Sequence, residues 1–219
     1  MSLIETIRLK LRRFYIHRTA RWRRKEIQNT DWTIISNNCW GGFIYQSYGL
    51  PYNTPTIGGF FVAEDYLEFI SDLEGWIAEP LQFLASEESR YAEHYKDWEK
   101  FGTYPIGCLK KDGKMVEIHF MHYSTEEETL KHWNDRIKRM NLKKVLYKFN
   151  DQNLCTEEHL KRFAEMPLKH KICFTSKEYH LPDTLYIRCP KSPNGVAASF
   201  EPFGRSKYIN INELLNELA

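Results

Sequence analysis

The sequence predicts an α/β fold: a mainly parallel sheet flanked by helices in a Rossmann-like three-layer arrangement, with an inserted β-hairpin and a basic N-terminal helix. Three observations carry this. Strand-length apolar segments at 32–36, 143–149, 171–175 and 184–189 alternate with segments of helical period, and strand–helix–strand at that spacing implies parallel pairing with helices on both faces. Residues 63–77 place Tyr66, Phe69, Ile70, Leu73, Trp76 and Ile77 at the spacing of one helix face. The run "YPIGCLKKDGKMVEIHFMHY" (104–123) reads as two strands about Asp112-Gly113, a hairpin dipeptide.

In chain order, residues 3–27 form a basic amphipathic helix. Ile4, Ile7, Leu11, Phe14 and Trp22 fall near one face, and Arg8, Arg12, Arg13, Arg18, Arg21, Arg23, Arg24 and Lys25 crowd the remainder. We treat 1–29 as this helix and 30–219 as a single α/β domain. After the strand at 32–36, a helix begins at Trp40, and the Gly- and Pro-rich "GLPYNTPTIGG" (49–59) marks an ordered loop. The polar segment 85–101 is expected to be helical and partly exposed. Ser124 and Glu127 read as a capping box for a helix that buries Leu130, Trp133, Ile137 and Met140. Thr156 caps a short helix containing Leu160 and Phe163. A last helix starts near Asn210, with Leu214, Leu215 and Leu218 inward.

Composition narrows the function. With 42% hydrophobic and 27% charged residues the chain is an ordinary globular protein, and its net charge of +2 gives no case for nucleic acid as a partner. No apolar run approaches the roughly 18 residues of a membrane span, and no secretory signal is visible. Five cysteines, an odd number without a C-x-x-C pair, argue for a reducing, cytoplasmic compartment. The basic helix adds a candidate contact with an anionic membrane surface through residues 3–27, on the inner face of the membrane, against the alternative of a helix packed on the domain. Dinucleotide, P-loop, nucleophile-elbow and H-E-x-x-H signatures are missing.

The stretch "WTIISNNCWGGFIY" (32–45) concentrates the remaining signal. In open parallel sheets ligands bind beyond the carboxyl ends of the strands, beside helix N-termini. Cys39 lies just past such an end. A helix starting there lowers a thiol pKa, and Gly41 and Gly42 permit close approach of a ligand. Ser36, Asn37, Asn38 and Trp40 complete the candidate binding turn. The competing reading makes Cys39 a small packed hydrophobe, the asparagines caps and the glycines packing devices. A base for Cys39 is sought in His119 or His122. Positions three apart on a regular strand face opposite ways, so one histidine at most serves the site; His122, beside Tyr123, is nearer the strand end. The same spacing speaks against a zinc pair, and no metal is expected. Asp151 follows the strand at 143–149 and is the candidate carboxylate.

In order along the chain, "ISNNCWGG", "YNTPT", "AEDY", "YPIG", "VEIHFMHY", Trp133–Arg136–Arg139–Asn141, "KFND", "CTEE" and "CFT" resemble a bacterial domain-of-unknown-function family, number 1919, over residues 30 to about 190. Its members are often labelled exopolysaccharide biosynthesis proteins. A fainter similarity, carried by Asn38-Cys39, is to capsule-biosynthesis acetyltransferases that bind coenzyme A; Trp40 stands where those proteins have glutamine. The resemblance implies an acyl or glycosyl transferase in surface-polysaccharide assembly, with a coenzyme A ester or nucleotide sugar as donor and a carbohydrate as acceptor. Two alternatives stand beside it: a cysteine-dependent hydrolase using Cys39 and a histidine, and a non-catalytic carbohydrate-binding module.

Overall fold

The computed structural model describes residues 3–189 and 195–218. Within the first helix the side chains of residues 3–6, 8, 9, 12, 13 and 17 lie outside that description, and with them the facial assignments of Ile4, Arg8, Arg12 and Arg13. The elements run α1 (Leu3–Arg24), β1 (Thr33–Ser36), α2 (Trp40–Tyr48), α3 (Ala63–Ser71), α4 (Leu73–Ala78), β2 (Gln82–Leu84), α5 (Ala92–Tyr95), β3 (Ile106–Lys111), β4 (Lys114–His119), α6 (Glu126–Ile137), β5 (Val145–Asn150), α7 (Glu157–Glu165), β6 (Lys171–Thr175), β7 (Thr184–Tyr186) and α8 (Ile211–Asn216).

The main sheet has the order β1-β5-β6-β7, and every neighbouring pair is parallel. Alternate side chains divide it into two buried faces. Ile34, Leu146, Ile172 and Phe174 point to a core with Trp40, Ile44 and Tyr45 of α2 and Leu215 of α8. Ile35, Phe149 and Cys173 point to the other, with Tyr66 and Phe69 of α3 and Leu160 and Phe163 of α7. Helices on both faces make this the three-layer α/β arrangement expected. The hairpin lies in a separate antiparallel sheet of order β2-β3-β4, pinned to the body by the Phe60–His119 bridge.

Several local expectations shift. The stripe over 63–77 is two helices, because Asp72 leaves helical geometry and its carboxylate caps α4 at Gly75 N–H. Segment 85–101 holds only a 3₁₀ turn (Ser86–Glu88) and the single turn of α5; its aromatics pack tertiary neighbours without a helical period. The cap of α6 is Thr125, which accepts from Glu128 N–H, one residue beyond the expected Ser124. On α6, Thr129, Trp133 and Arg136 are buried while Leu130 is exposed, and the strand at 184–189 ends at Tyr186.

The helix expected over 3–27 is present as α1 and ends at Arg24. It packs on the body through Ile16, Ala20 and Arg23, and Ile27 beyond its end joins the core around Trp32. The Arg23 guanidinium donates to Ser47 O (2.8 Å), Ile16 O (2.7 Å) and Thr19 Oγ1 (2.6 Å), so one arginine of the basic run is a structural clamp. The apolar stripe of Ile7, Leu11, Phe14 and Trp22 faces away from the core.

Candidate functional site

Cys39 occupies the N-cap position of α2, three residues beyond the end of β1. Its Sγ lies 3.2 Å from His122 Nε2. The histidine arrives from the other sheet. After His119 the chain leaves β4 in a tight turn, with Met121 N–H bonded to His119 O and Tyr123 N–H to Phe120 O, both at 3.0 Å. This turn cancels the two-residue alternation of the strand. His122 therefore swings towards Cys39, and its own N–H is held by Gly58 O at 3.0 Å. Gly58 has φ 87°, and a Cβ there would run into the Tyr123 ring. Gly58→Ala is thus expected to cost about 1–3 kcal/mol and to loosen the Cys39–His122 contact. A lowered melting temperature with slower alkylation of Cys39 would register both effects.

Cys39 is half-buried and lines a cavity of about 340 Å³ whose wall is mainly Phe60, Tyr95, Trp98 and Met121. A second, polar cavity of about 530 Å³ shares Tyr95, Gln152 and Asn153 with it and continues along Asp151, Ser176 and Lys177. The two run beside the carboxyl ends of β1, β5 and β6. Between them Asn153 (φ 55°) and Leu154 (φ 61°) hold left-handed conformations, uncommon for any residue but glycine. Asn153 Nδ2 bonds Phe61 O, and Asn153 O accepts from Ala63 N–H, both at 3.0 Å, which fixes the segment.

Beneath Cys39 lies a fully buried polar network. Lys148 Nζ donates to Glu201 Oε1 (2.5 Å) and to Asn38 Oδ1 (3.0 Å). Asn150 Nδ2 donates to Glu201 Oε1 (2.8 Å), and Asn38 Nδ2 reaches the same carboxylate at 3.2 Å. Asn38 Oδ1 also accepts from Trp40 N–H (3.0 Å) and Ser36 Oγ (3.1 Å), so the network fixes the turn that presents Cys39. Burial raises Glu201 and lowers Lys148, each drawn back by the other's charge. Burial likewise pushes the Cys39 thiol up to about 12, with the Glu201 carboxylate adding to the effect and Lys148 opposing it. The resting pair is therefore a neutral thiol against an imidazole, not a stored thiolate.

The residues singled out in the sequence part company here. The structure brings Asn38, Cys39 and His122 together. Ser36, Asn37 and Trp40 are buried behind them: Asn37 Nδ2 donates to Asn150 Oδ1 (2.8 Å), and Trp40 Nε1 donates to Pro202 O (2.8 Å). Asp151 accepts from Ser176 N and Oγ (both 2.6 Å) and from Val196 N (2.8 Å), tying loops at the edge of the polar cavity. Tyr123 Oη donates to Ile57 O (3.0 Å) and accepts from Arg136 Nη1 (2.5 Å). Gly41 and Gly42 face Ile34 and Ile57, letting α2 lie close to its neighbours. A Cβ on Gly42 would meet Ile57 at 3.5 Å, an ordinary contact. Gly42→Ala is accordingly expected to be neutral or to stabilise by up to about 1 kcal/mol, read by chemical denaturation. A large loss of ligand binding in that variant would restore the close-approach role.

His119 is sealed among aromatic rings. It stacks on Phe60 with centroids 4.7 Å apart, and its Nδ1 lies 3.3 Å from Tyr104 Oη. Burial lowers its pKa to about 4. A folded pKa below the unfolded value favours the neutral form, so this contribution is complete above about 6.5 and is lost as pH falls towards 4. We expect stability to drop by about 3 kcal/mol from this group across that window. His119→Phe should flatten that slope in urea titrations run between those pH values.

Lys148 and Glu201 escaped the sequence reading. An isolated lysine in a strand and a glutamate in "SFEPF" carry no spacing signal, although the apolar neighbours of Lys148 in "VLYKF" are a weak sign of burial.

The profile of a domain of unknown function, DUF1919, matches residues 10–216. The chain belongs to this family. The match reaches past the 30–190 span of the quoted motifs at both ends, taking in most of α1 and the segment bearing Glu201. An uncharacterized protein of Haemophilus influenzae (strain Rd) is 31% identical over 193 residues, covering 88% of this chain and 84% of that protein. Both ends of the buried Lys148–Glu201 pair thus lie within the DUF1919 match, as do Cys39 and His122. Among the described residues of this family member no three His, Cys, Asp or Glu side chains are grouped to hold a metal ion.

Proposed function

We propose that this DUF1919 protein is an acyl transferase that works through a thioester on Cys39. The 3.2 Å contact between Cys39 Sγ and His122 Nε2, with Cys39 on the wall of a cavity, carries the reading. Because the thiol rests protonated, His122 acts as general base during attack. Sγ bonds to the carbonyl carbon of an activated ester while Nε2 takes the thiol proton. The tetrahedral intermediate collapses, and the leaving group departs with that proton. An acceptor hydroxyl then gives its proton to His122, attacks the thioester and releases the thiol. Phe60, Tyr95 and Trp98 offer rings for stacking on a sugar, so the acceptor we assign is a carbohydrate hydroxyl, in keeping with a role in surface-polysaccharide assembly. The adjoining polar cavity takes the rest of the donor, for which a coenzyme A ester is the natural class. Glycosyl transfer fits less well, since the Asp151 carboxylate is engaged by Ser176 and Val196.

His122 is exposed, and that observation favours a second reading in which water is the acceptor and the protein a thiol hydrolase. Incubation with acetyl-coenzyme A and with p-nitrophenyl acetate, followed by peptide mass spectrometry, tests both. One acetyl group on the Cys39 peptide, sensitive to hydroxylamine, is the expected result. Faster turnover with oligosaccharides, giving acetylated sugar, selects the transferase; release of acetate alone selects the hydrolase. An unmodified Cys39 with every donor class tried would remove the covalent mechanism.

A further inference from the structure

The helix α1 has two faces, and the fold uses only one. Ile7, Leu11, Phe14 and Trp22 are 49%, 65%, 63% and 77% exposed. At 100° per residue they occupy an arc of roughly 80°, opposite the arc of Ile16, Ala20 and Arg23 by which the helix packs. A row of four large apolar side chains held outward is not what an ordinary solvated helix shows.

Charge marks the same face. Residues 3–25 contain nine lysines and arginines against one acidic residue, whereas the rest of the chain carries a net charge of −6. Among the described basic side chains, Lys10, Arg18, Arg21 and Lys25 are exposed, while Arg24, also exposed, donates to Tyr48 O and Gly49 O on the body. The Arg18 guanidinium sits 5.4 Å over the Phe14 ring, its stem along apolar surface and its charge outward. Arg205 and Lys207, exposed and from a distant segment, line one groove with Ile7 and Leu11; Arg205 there pairs with Glu26 at 3.5 Å, and Lys207 extends the basic rim.

We infer that this face of α1 docks on an anionic lipid bilayer, parallel to its surface. The aliphatic and aromatic stripe enters the headgroup boundary, and Arg18, Arg21 and Lys25 meet lipid phosphates. A second copy of the chain is disfavoured as occupant, since it would bring like charge against like charge. Nucleic acid would use the basic rim but leave the aliphatic centre without a partner. No helix among the described residues is long and apolar enough to cross a membrane.

Because Ile16, Ala20 and Arg23 pack on the body, the test uses substitutions in the full chain and not truncation. The probes are phosphatidylcholine vesicles with and without about 30% phosphatidylglycerol, at low salt and at about 0.5 M salt, where attraction between charges more than a few ångströms apart is screened. The wild-type chain should pellet with the anionic vesicles at low salt and be released by high salt. The double variant Phe14→Ser/Trp22→Ser should bind at least about tenfold more weakly. The triple variant Arg18→Glu/Arg21→Glu/Lys25→Glu should not bind. Melting temperatures should stay unchanged, since every substituted side chain is exposed. Absence of pelleting by the wild type overturns the proposal, as does undiminished binding of the serine variant. A dimer that dissociates in either variant, without vesicle binding, assigns the face to self-association instead.

Discussion

His122→Asn is expected to slow acylation of Cys39 by about 10²–10⁴-fold while leaving thermal stability unaltered. The stability part follows from exposure: the imidazole lies at the surface, and its backbone N–H bond to Gly58 O survives the change. The rate part follows from the thiol. With Cys39 pushed up to about 12 by burial and by Glu201, only a minute fraction is thiolate at neutral pH, and attack depends on a base within reach. Without the imidazole, reaction must pass through free thiolate, whose population rises tenfold per pH unit. The variant's alkylation rate should therefore climb by about tenfold per unit between pH 7 and 10, with the wild type far above it at neutral pH. Iodoacetamide kinetics resolved on the Cys39 peptide give this profile. Equal rates for variant and wild type at neutral pH would mean that the 3.2 Å contact has no chemical role. Cys39→Ser, in contrast, keeps the contact but should lose the covalent step, serine being a much weaker nucleophile beside a lone histidine.

Lys148→Met should destabilise the protein by about 3–5 kcal/mol, the cost of leaving a buried charge without its partner. Lys148 and Glu201 are both fully enclosed, so water cannot replace the lost ammonium. Asn38 and Asn150 still donate to the carboxylate, but two neutral donors do not balance its charge. In a domain of this size the loss corresponds to a fall of roughly 6–20 °C in melting temperature. The double variant Lys148→Met/Glu201→Gln removes both charges and should be clearly more stable than the single one, a coupling that denaturation of all four proteins measures. If the single variant melted as the wild type does, the ion pair would be dispensable to the turn that presents Cys39.

The parallel sheet and its helices were legible because their signals are local and repeated. Burial on both faces writes strands such as "TIIS" and "KICFT", and a one-sided helix writes the spacing of Leu160 and Phe163. Cys39 was legible for the same reason: a strand end, a polar turn and a helix start lie within a few residues. Segment 85–101 misled because its aromatics serve a tertiary cluster around His119. The helix over 3–27 was legible, but not the face by which it packs. Its amphipathic stripe was visible, but the face the body uses is the opposite one, with Ile16, Ala20 and an internally satisfied Arg23.

The sequence by itself determined the α/β class and the strand-end position of Cys39; between the histidines it offered only a preference for His122, the one nearer the strand end. Only the tertiary structure decided that His122 meets Cys39, because that contact joins residues from two different sheets through the turn held at Gly58. The same is true of the Lys148–Glu201 pair and of the roles of Gly41, Gly42 and Asp151. Periodicity reports which way a side chain points from its own element. What stands opposite it depends on how distant elements pack, and charge pairing, thiol pKa and cavity shape all arise at that level.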